Sequence, residues 1–451
     1  MRTFGRHARL TATAVVCGTT LALATLAAPA QAGTGAGSGA STGTTGRSAE
    51  RAALAPGDGW GSAGTGTTGG RAADAGHVFT VTTWAEFRAA LAKAAGAPSI
   101  IRVKGTLDAL SDEQGTPRTC ADYAAPGYSF AQYLADYDPA VWGYENPVSG
   151  EQEDLRAASA KQQAAQIMAY VPANTTVVGV GRDARILGGS LQVRNVDNVI
   201  VRNLTFEDAY DCFPQWDPTD GDVGEWNSEY DNLVVYGTTH VWVDHNTFTD
   251  GRRPDSAQPR YFGRLYQQHD GLLDLVRGAD LVTVSWNVFA DHDKTMLIGN
   301  SDSAAADDRG KLKATLHHNQ FRNVKERAPR VRFGQVDTYN NHYVAERPEN
   351  FGYSFGIGIE SQLVAEKNAF TLGAGVRPAT ILKKWKDAPV TTADNYVNGR
   401  PVDLLAVHNA EIPEETLRPD AGWTPTLRTA VDPPRAVPRV VDAGAGAGKL
   451  R

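Results

Sequence analysis

Val282-Thr-Val-Ser-Trp-Asn287, Ala314-Thr-Leu-His-His-Asn319, Val336-Asp-Thr-Tyr-Asn-Asn341 and Leu363-Val-Ala-Glu-Lys-Asn368 are four versions of one phrase. Each is a short run with β-branched or apolar residues at alternate positions, closed by an asparagine. Asn319, Asn341 and Asn368 are spaced 22 and 27 residues apart. A strand-and-turn unit returning every twenty-odd residues is the mark of a parallel β-solenoid, in which each coil buries one face against its neighbours. The asparagines are expected to stack at one turn and satisfy backbone groups coil after coil. Val199-Ile-Val-Arg-Asn203 and Val241-Trp-Val-Asp-His-Asn246 carry the phrase further toward the N-terminus at wider spacings, as loops inserted into some coils require. A β-sandwich would show short hairpins with two-residue Asn-Gly or Asp-Gly turns, which these long, uneven gaps do not match.

Working outward, Val78 to Val81 and Ile100 to Val103 read as strands. Thr83 to Ala95 reads as a helix: Thr83 and Glu86 have capping-box spacing, and Trp84, Phe87 and Leu91 share a face. This helix is expected to cap the N-terminal end of the solenoid. Residues 106–166 read as a long insertion with a helix around Glu151 to Ile167. The composition after Lys386 suggests a covering tail.

The chain has 451 residues and a net charge of −7. No basic excess is available to neutralise phosphates, so nucleic acid is excluded as the main partner. The start reads as an export signal over residues 1–32. Arg2, Arg6 and Arg9 are followed by an apolar run from Leu10 to Ala28 and a small-residue cleavage site at Ala30-Gln31-Ala32. Once the signal is removed, no other apolar stretch is long enough to span a membrane. Residues 33–56 read as a disordered Gly/Ser/Thr-rich leader, 57–430 as the solenoid domain with its tail, and 431–451 as a disordered end. The protein is expected outside the cell, as a monomer. Export removes Cys17 and leaves Cys120 and Cys212, which form either one disulfide or two buried thiols.

Two constellations could carry chemistry. Asp270-Gly-Leu-Leu-Asp274 and Glu229-Tyr-Asp231 each hold two carboxylates that can face one way. Stacked on successive coils they would make an oxygen-rich site suited to Ca²⁺. The same acids could equally be scattered over a solvated surface. The second constellation is cationic: Lys294, Arg327, Arg330 and Arg332 could line a wall that grips a polyanion, or form a salt-bridged strip. His245, His317 and His318 read as structural. No phosphate-binding glycine loop and no serine elbow is present.

Trp242-Val-Asp-His245, Asp270-Gly-Leu-Leu-Asp274, Asp291-His-Asp-Lys-Thr-Met-Leu-Ile-Gly299 and Arg327-Ala-Pro-Arg-Val-Arg-Phe-Gly334, with the stretch Asp208 to Asp220, resemble the bacterial pectate lyases of polysaccharide lyase family 1, especially the Bacillus-type branch. The resemblance runs from about Gly59 to about Leu382. It implies a right-handed parallel β-helix and a primary Ca²⁺ held by Asp231, Asp270 and Asp274. Glu229 is implied as a further ligand, and Asp220 is tied to additional, substrate-bridged calcium. It implies Arg327 as the base, Lys294 and Arg332 as contacts to a substrate carboxylate, and Arg330 as a structural ion-pair partner. Against the family pattern, Cys212 stands where near relatives carry an aromatic residue, so a Cys120–Cys212 bond would be a local addition. Leu272 and Leu273 replace more polar residues and are expected to alter subsite polarity.

The implied substrate is α-1,4-linked polygalacturonate, cleaved by β-elimination. Nearby cations are expected to lower the pKa of Arg327. Rival readings are a metal-free lyase of esterified pectin, a hydrolase using paired aspartates, and a non-catalytic polysaccharide-binding solenoid.

Overall fold

The computed structural model describes residues 49–450, so the expected signal and most of the expected leader lie outside the described residues. Each full coil contributes three short parallel strands. One turn runs through Leu273–Val276, Asp280–Ser285 and Val288–Lys294, and the next through Leu297–Ile298, Ala314–His317 and Gln320–Glu326. Every strand pairs with its counterpart one coil away. The result is a parallel β-helix, wound in the right-handed sense that parallel connections take.

The inward positions form continuous columns. Phe206, Phe248, Phe289, Phe321, Tyr343 and Phe370 stack with centroid spacings of 4.9, 5.0, 5.0, 4.8 and 4.7 Å. That is the separation of neighbouring strands, so the backbone ladder itself brings the rings into contact.

The asparagine stack forms at the turn between the last two strands of each coil. Asn319 Oδ1 accepts from the Asn287 backbone N–H at 2.9 Å and from Asn287 Nδ2 at 3.0 Å. Its own Nδ2 donates to the Val284 carbonyl at 2.9 Å and to Asn341 Oδ1 at 3.0 Å. The stack runs through Asn246, Asn287, Asn319, Asn341 and Asn368, and Asn395 adds a rung that the sequence reading passed over. Asn203 is not in it. Its strand pairs so that Arg202 lies beside Asp244, which puts Asn203 beside His245 and Leu204 beside Asn246. Because every group in the stack is buried, Asn319→Ala is expected to cost about 3 kcal/mol in a denaturant titration.

The helix Trp84–Ala94 carries the expected capping box and buries Trp84, Phe87 and Leu91 in the main core. The insertion contains the expected helix Glu151–Ile167. Cys120 and Cys212 are joined by a disulfide, which ties the insertion to the loop leading toward the site.

Both terminal expectations need correction. Within the expected leader, residues 49–56 are packed: Leu54 fills a pocket with Ile200 and Trp242, and Glu50 makes a two-pronged ion pair with Arg102 at 2.6 and 2.8 Å. At the other end, residues expected to be disordered form the helix Val437–Gly444. Val437, Val441 and Ala445 fall at four-residue intervals and bury against Ala369 and Val288. In both places a few well-spaced apolar or charged side chains outweigh a composition that reads as loose.

Candidate functional site

The first strand of each coil joins an eight-stranded parallel sheet. Its register builds one outward row from Gln192 through Val234, Asp274, Leu297, Arg330 and Gly356 to Lys383. In the strand Leu273–Val276, alternation sends Leu273 and Leu275 into the core and Asp274 outward. A cleft of about 490 Å³ lies over this sheet, lined among others by Asp231, Asp270, Asp274, Lys294, Arg327, Arg330 and Arg332. The fold therefore gathers acids and bases from four successive coils.

Asp231 and Asp274 converge on Gly271. A Cβ at that position would sit 2.6 Å from Oδ1 of each, so a side chain there would fill the space between the carboxylates. The Gly271 N–H donates to Asp231 Oδ1 at 2.8 Å, and the Leu297 N–H donates to Asp274 Oδ1 at 2.8 Å. Among the described residues, no basic side chain forms a salt bridge with Asp231, Asp270 or Asp274. Burial, then Asp274 and Asp270, push the Asp231 carboxyl well above the usual range. Burial, then Asp270, raise Asp274 to about 7. Crowded carboxylates without a counter-cation are a donor set that fits a hard dication. Leu272 and Leu273, expected to alter subsite polarity, are buried in the core and leave the polarity of the cleft untouched.

Glu229 and Asp220 are not brought to the cleft wall. Glu229 is exposed, and its backbone N–H donates to the buried Asp211 at 3.0 Å. Asp220 is exposed in the loop between Gln215–Asp217 and Glu225–Asn227.

The basic wall has three kinds of member. Lys294 Nζ has no side-chain partner among the described residues. Arg332 is tied down, with Nε donating to Asp302 at 2.7 Å and Nη1 to the Gly299 carbonyl at 2.8 Å. Arg327 follows the strand Gln320–Glu326 with φ +60, a left-handed bend at the strand's end, and its Nε donates to Glu326 at 3.0 Å. Its pKa runs against expectation. Burial pushes the guanidinium down, but Glu326, Asp270 and Asp274 outweigh burial and hold it above its ordinary value. Arg330 also departs from expectation: among the described residues no carboxylate pairs with it. Its guanidinium carbon lies 3.8 Å from the ring centroid of Trp385.

Sequence reasoning missed the network beneath these residues. His292 donates to Asp250 at 2.6 Å and to the Lys294 carbonyl at 3.1 Å. His269, next to Asp270, is clamped between Asp255 at 2.7 Å and Asp208 at 3.1 Å. Asp250, Asp255 and His269 bring ligand atoms within 4.8 Å of one another. Burial lowers the pKa of His269, yet Asp208 and Asp255 raise it to about 10, so this group holds an imidazolium and is an ion-pair cluster. The only local signal was histidine beside aspartate; the partners come from other coils. His245 and His317 stack on Trp286 and Tyr339, on another sheet, in keeping with a structural role.

Comparison with known proteins gives a consistent result. The family profile described as pectate lyase matches residues 148–411. A pectate lyase of Bacillus subtilis (strain 168) is 45% identical over 401 residues, covering 88% of this chain and 93% of the relative. Pectate lyase E of Dickeya dadantii (strain 3937) is 35% identical over 378 residues, covering 80% of this chain and 82% of the relative. A solved structure of a pectate lyase bound to a hexasaccharide superposes with a TM-score of 0.84 at 43% identity, covering 89% of this chain and 99% of that one.

Proposed function

The chain belongs to the pectate lyase family, and on that premise we propose that it is an exported, calcium-dependent enzyme that cleaves polygalacturonate by β-elimination, with Arg327 as the base. One observation carries the reading. Asp231, Asp270 and Asp274, without a salt bridge to any basic side chain among the described residues, line the same cleft as Lys294 and Arg327.

Asp231, Asp270 and Asp274 would hold the calcium, which would supply positive charge toward the uronate carboxylate beside the reacting carbon. Lys294, with its ammonium free, binds that carboxylate and stabilises the negative charge that grows as the C5 proton leaves. Arg332, fixed by Asp302 and the Gly299 carbonyl, offers its unused Nη donors to the same group. Arg327 takes the proton from C5. The C5–H electron pair becomes the C4–C5 double bond, and the C4–O pair departs on the glycosidic oxygen, which is protonated from solvent. Two of the three carboxylates that raise the Arg327 pKa are the proposed ligands Asp270 and Asp274. A dication held by them would offset that part of the pull, while Glu326 would still oppose burial. Even so, the deprotonated fraction grows with pH, so activity rises into the alkaline range. The set of three carboxylates has no use in a metal-free lyase of esterified pectin. A hydrolase would leave no double bond.

Export rests on the basic start, the apolar run and Ala30-Gln31-Ala32, and a disulfide fits an oxidising compartment. One experiment tests the whole reading. Protein recovered from the culture medium, its N-terminus expected at Gly33, is incubated with polygalacturonate plus calcium or plus chelator across a pH series. Ultraviolet absorbance of unsaturated uronate should appear with calcium, vanish with chelator and climb with pH. Cleavage without that absorbance, or an optimum near pH 5, would sink the proposal.

A further inference from the structure

Among the described residues, Arg330 and Arg194 are the guanidiniums of the cleft wall without a carboxylate partner, and Arg194 Nε donates to the Gln192 side chain, whereas Arg330 has no such acceptor. Arg332 has Asp302, and Arg327 has Glu326. Elsewhere, buried or half-buried arginines are paired in the same way: Arg156 with Glu153, and Arg428 with Asp337 and Glu366. Arg330 is half-buried, and its Nε is shut off from solvent without a hydrogen-bond partner among the described residues. Burial, then Arg332 and Arg327, hold its pKa down to about 10, with Tyr353 and Glu326 opposing. A cation kept in such a place disfavours the empty state and favours an anion.

The surroundings are shaped to hold it there. Arg330 and Gly356 are register neighbours on adjacent coils, and a Cβ on Gly356 would stand 3.0 Å from Arg330 Cγ and 2.9 Å from the Tyr353 ring. Only a bare backbone lets the arginine stem lie across that coil. The guanidinium then meets Trp385, 39% exposed, whose other ring neighbour is Tyr353 at 6.1 Å. A tryptophan this exposed, stacked on an unpaired guanidinium at the rim of a charged cleft, offers a flat apolar surface beside an anion-binding group.

We infer that Arg330 and Trp385 form a uronate-binding subsite on the C-terminal side of the scission site. The guanidinium takes the carboxylate of one galacturonate unit, and the exposed indole takes the apolar face of a sugar ring. The subsite rests on the polyuronate reading above and deepens it. The Arg330 position is two strand spacings, about 10 Å, from Asp274 along the sheet. It therefore grips a part of the polymer away from the bond being broken and serves binding more than chemistry.

The test compares wild type, Arg330→Gln and Trp385→Ala on polygalacturonate and on trigalacturonate at fixed saturating calcium. Each variant should raise KM on the polymer on the order of tenfold while kcat stays within about twofold, with a smaller change on the trimer. The double variant should fall short of the product of the single effects, since the two side chains act as one unit. Unchanged KM on the polymer, or a loss confined to kcat, overturns the subsite. Thermal unfolding is read alongside. If Arg330→Gln unfolds below the assay temperature, Arg330→Lys replaces it, and because it keeps the charge but loses the planar stack, a wild-type KM in that variant also overturns the proposal. Retardation in native gels containing polygalacturonate gives an arm that needs no turnover. Wild type that is retarded, but yields no ultraviolet band, would refute the lyase reading. Variants migrating like wild type in that gel would refute the subsite.

Discussion

Arg327→Lys is expected to lower turnover on polygalacturonate by about a thousandfold while calcium binding stays close to wild type. The size follows from what the side chain is asked to do. A positioned proton acceptor is worth orders of magnitude, and its worth depends on placement before basicity. Arg327 is placed by a left-handed bend at the end of its strand and by Glu326, which holds Nε at 3.0 Å. Lysine keeps the charge, so long-range attraction of the polymer survives. It lacks the planar fork that lets one nitrogen bond Glu326 while another faces the cleft. Calcium binding should be nearly indifferent, because the acids that would hold the ion come from other coils and no arginine oxygen is involved. Single-turnover rates by ultraviolet absorbance and a calcium titration by calorimetry separate the two effects. Turnover within tenfold of wild type would mean that another group removes the proton.

Asp274→Ala should do the reverse at the level of binding, weakening calcium affinity by about a hundredfold. The same substitution has a signature that needs no ligand. The folded carboxyl of Asp274 titrates near 7, raised by burial and by Asp270 above its ordinary 3.8. The fold thus prefers the protonated form. That preference stabilises the protein fully below the unfolded pKa and is lost as pH climbs toward 7. In chelator, wild-type melting should therefore fall between about pH 4 and pH 7, and calcium should restore it at the upper end. In Asp274→Ala this part of the fall should disappear, although losing the acceptor for the Leu297 N–H lowers the melting point at every pH. A variant that binds calcium like wild type and keeps the same pH slope would remove Asp274 from the metal site.

The buried network under the cleft ties the two halves of the site together. His292 fixes the Lys294 backbone, and His269 fixes the strand entry at Asp270. Both imidazoles face Asp250, at 2.6 Å from His292 and 3.9 Å from His269, so the basic and acidic halves share one buried support.

The sequence alone determined the architecture, because the information is local and repeated. Alternation within each run sets which side chains point inward. The recurring asparagine sets the turn, and Thr83 with Glu86 starts the capping helix. Local reading also found the chemical kinds at the site: acids at 231, 270 and 274, bases at 294, 327 and 332. It slipped where one residue of register mattered, at Asn203, and where a few spaced side chains order a loose-looking terminus, at Leu54 and Val437. What only the tertiary structure decided was which groups meet. In a parallel solenoid the contacts of an outward side chain come from the coils above and below, and their distance along the chain changes with every inserted loop. Register along the eight-stranded sheet sets Arg330 beside Gly356 and under Trp385, leaves it without a carboxylate partner among the described residues, and turns Leu272 and Leu273 inward. A pattern along one strand fixes a face; only the stacking of coils fixes a row, and the proposed chemistry lies along rows.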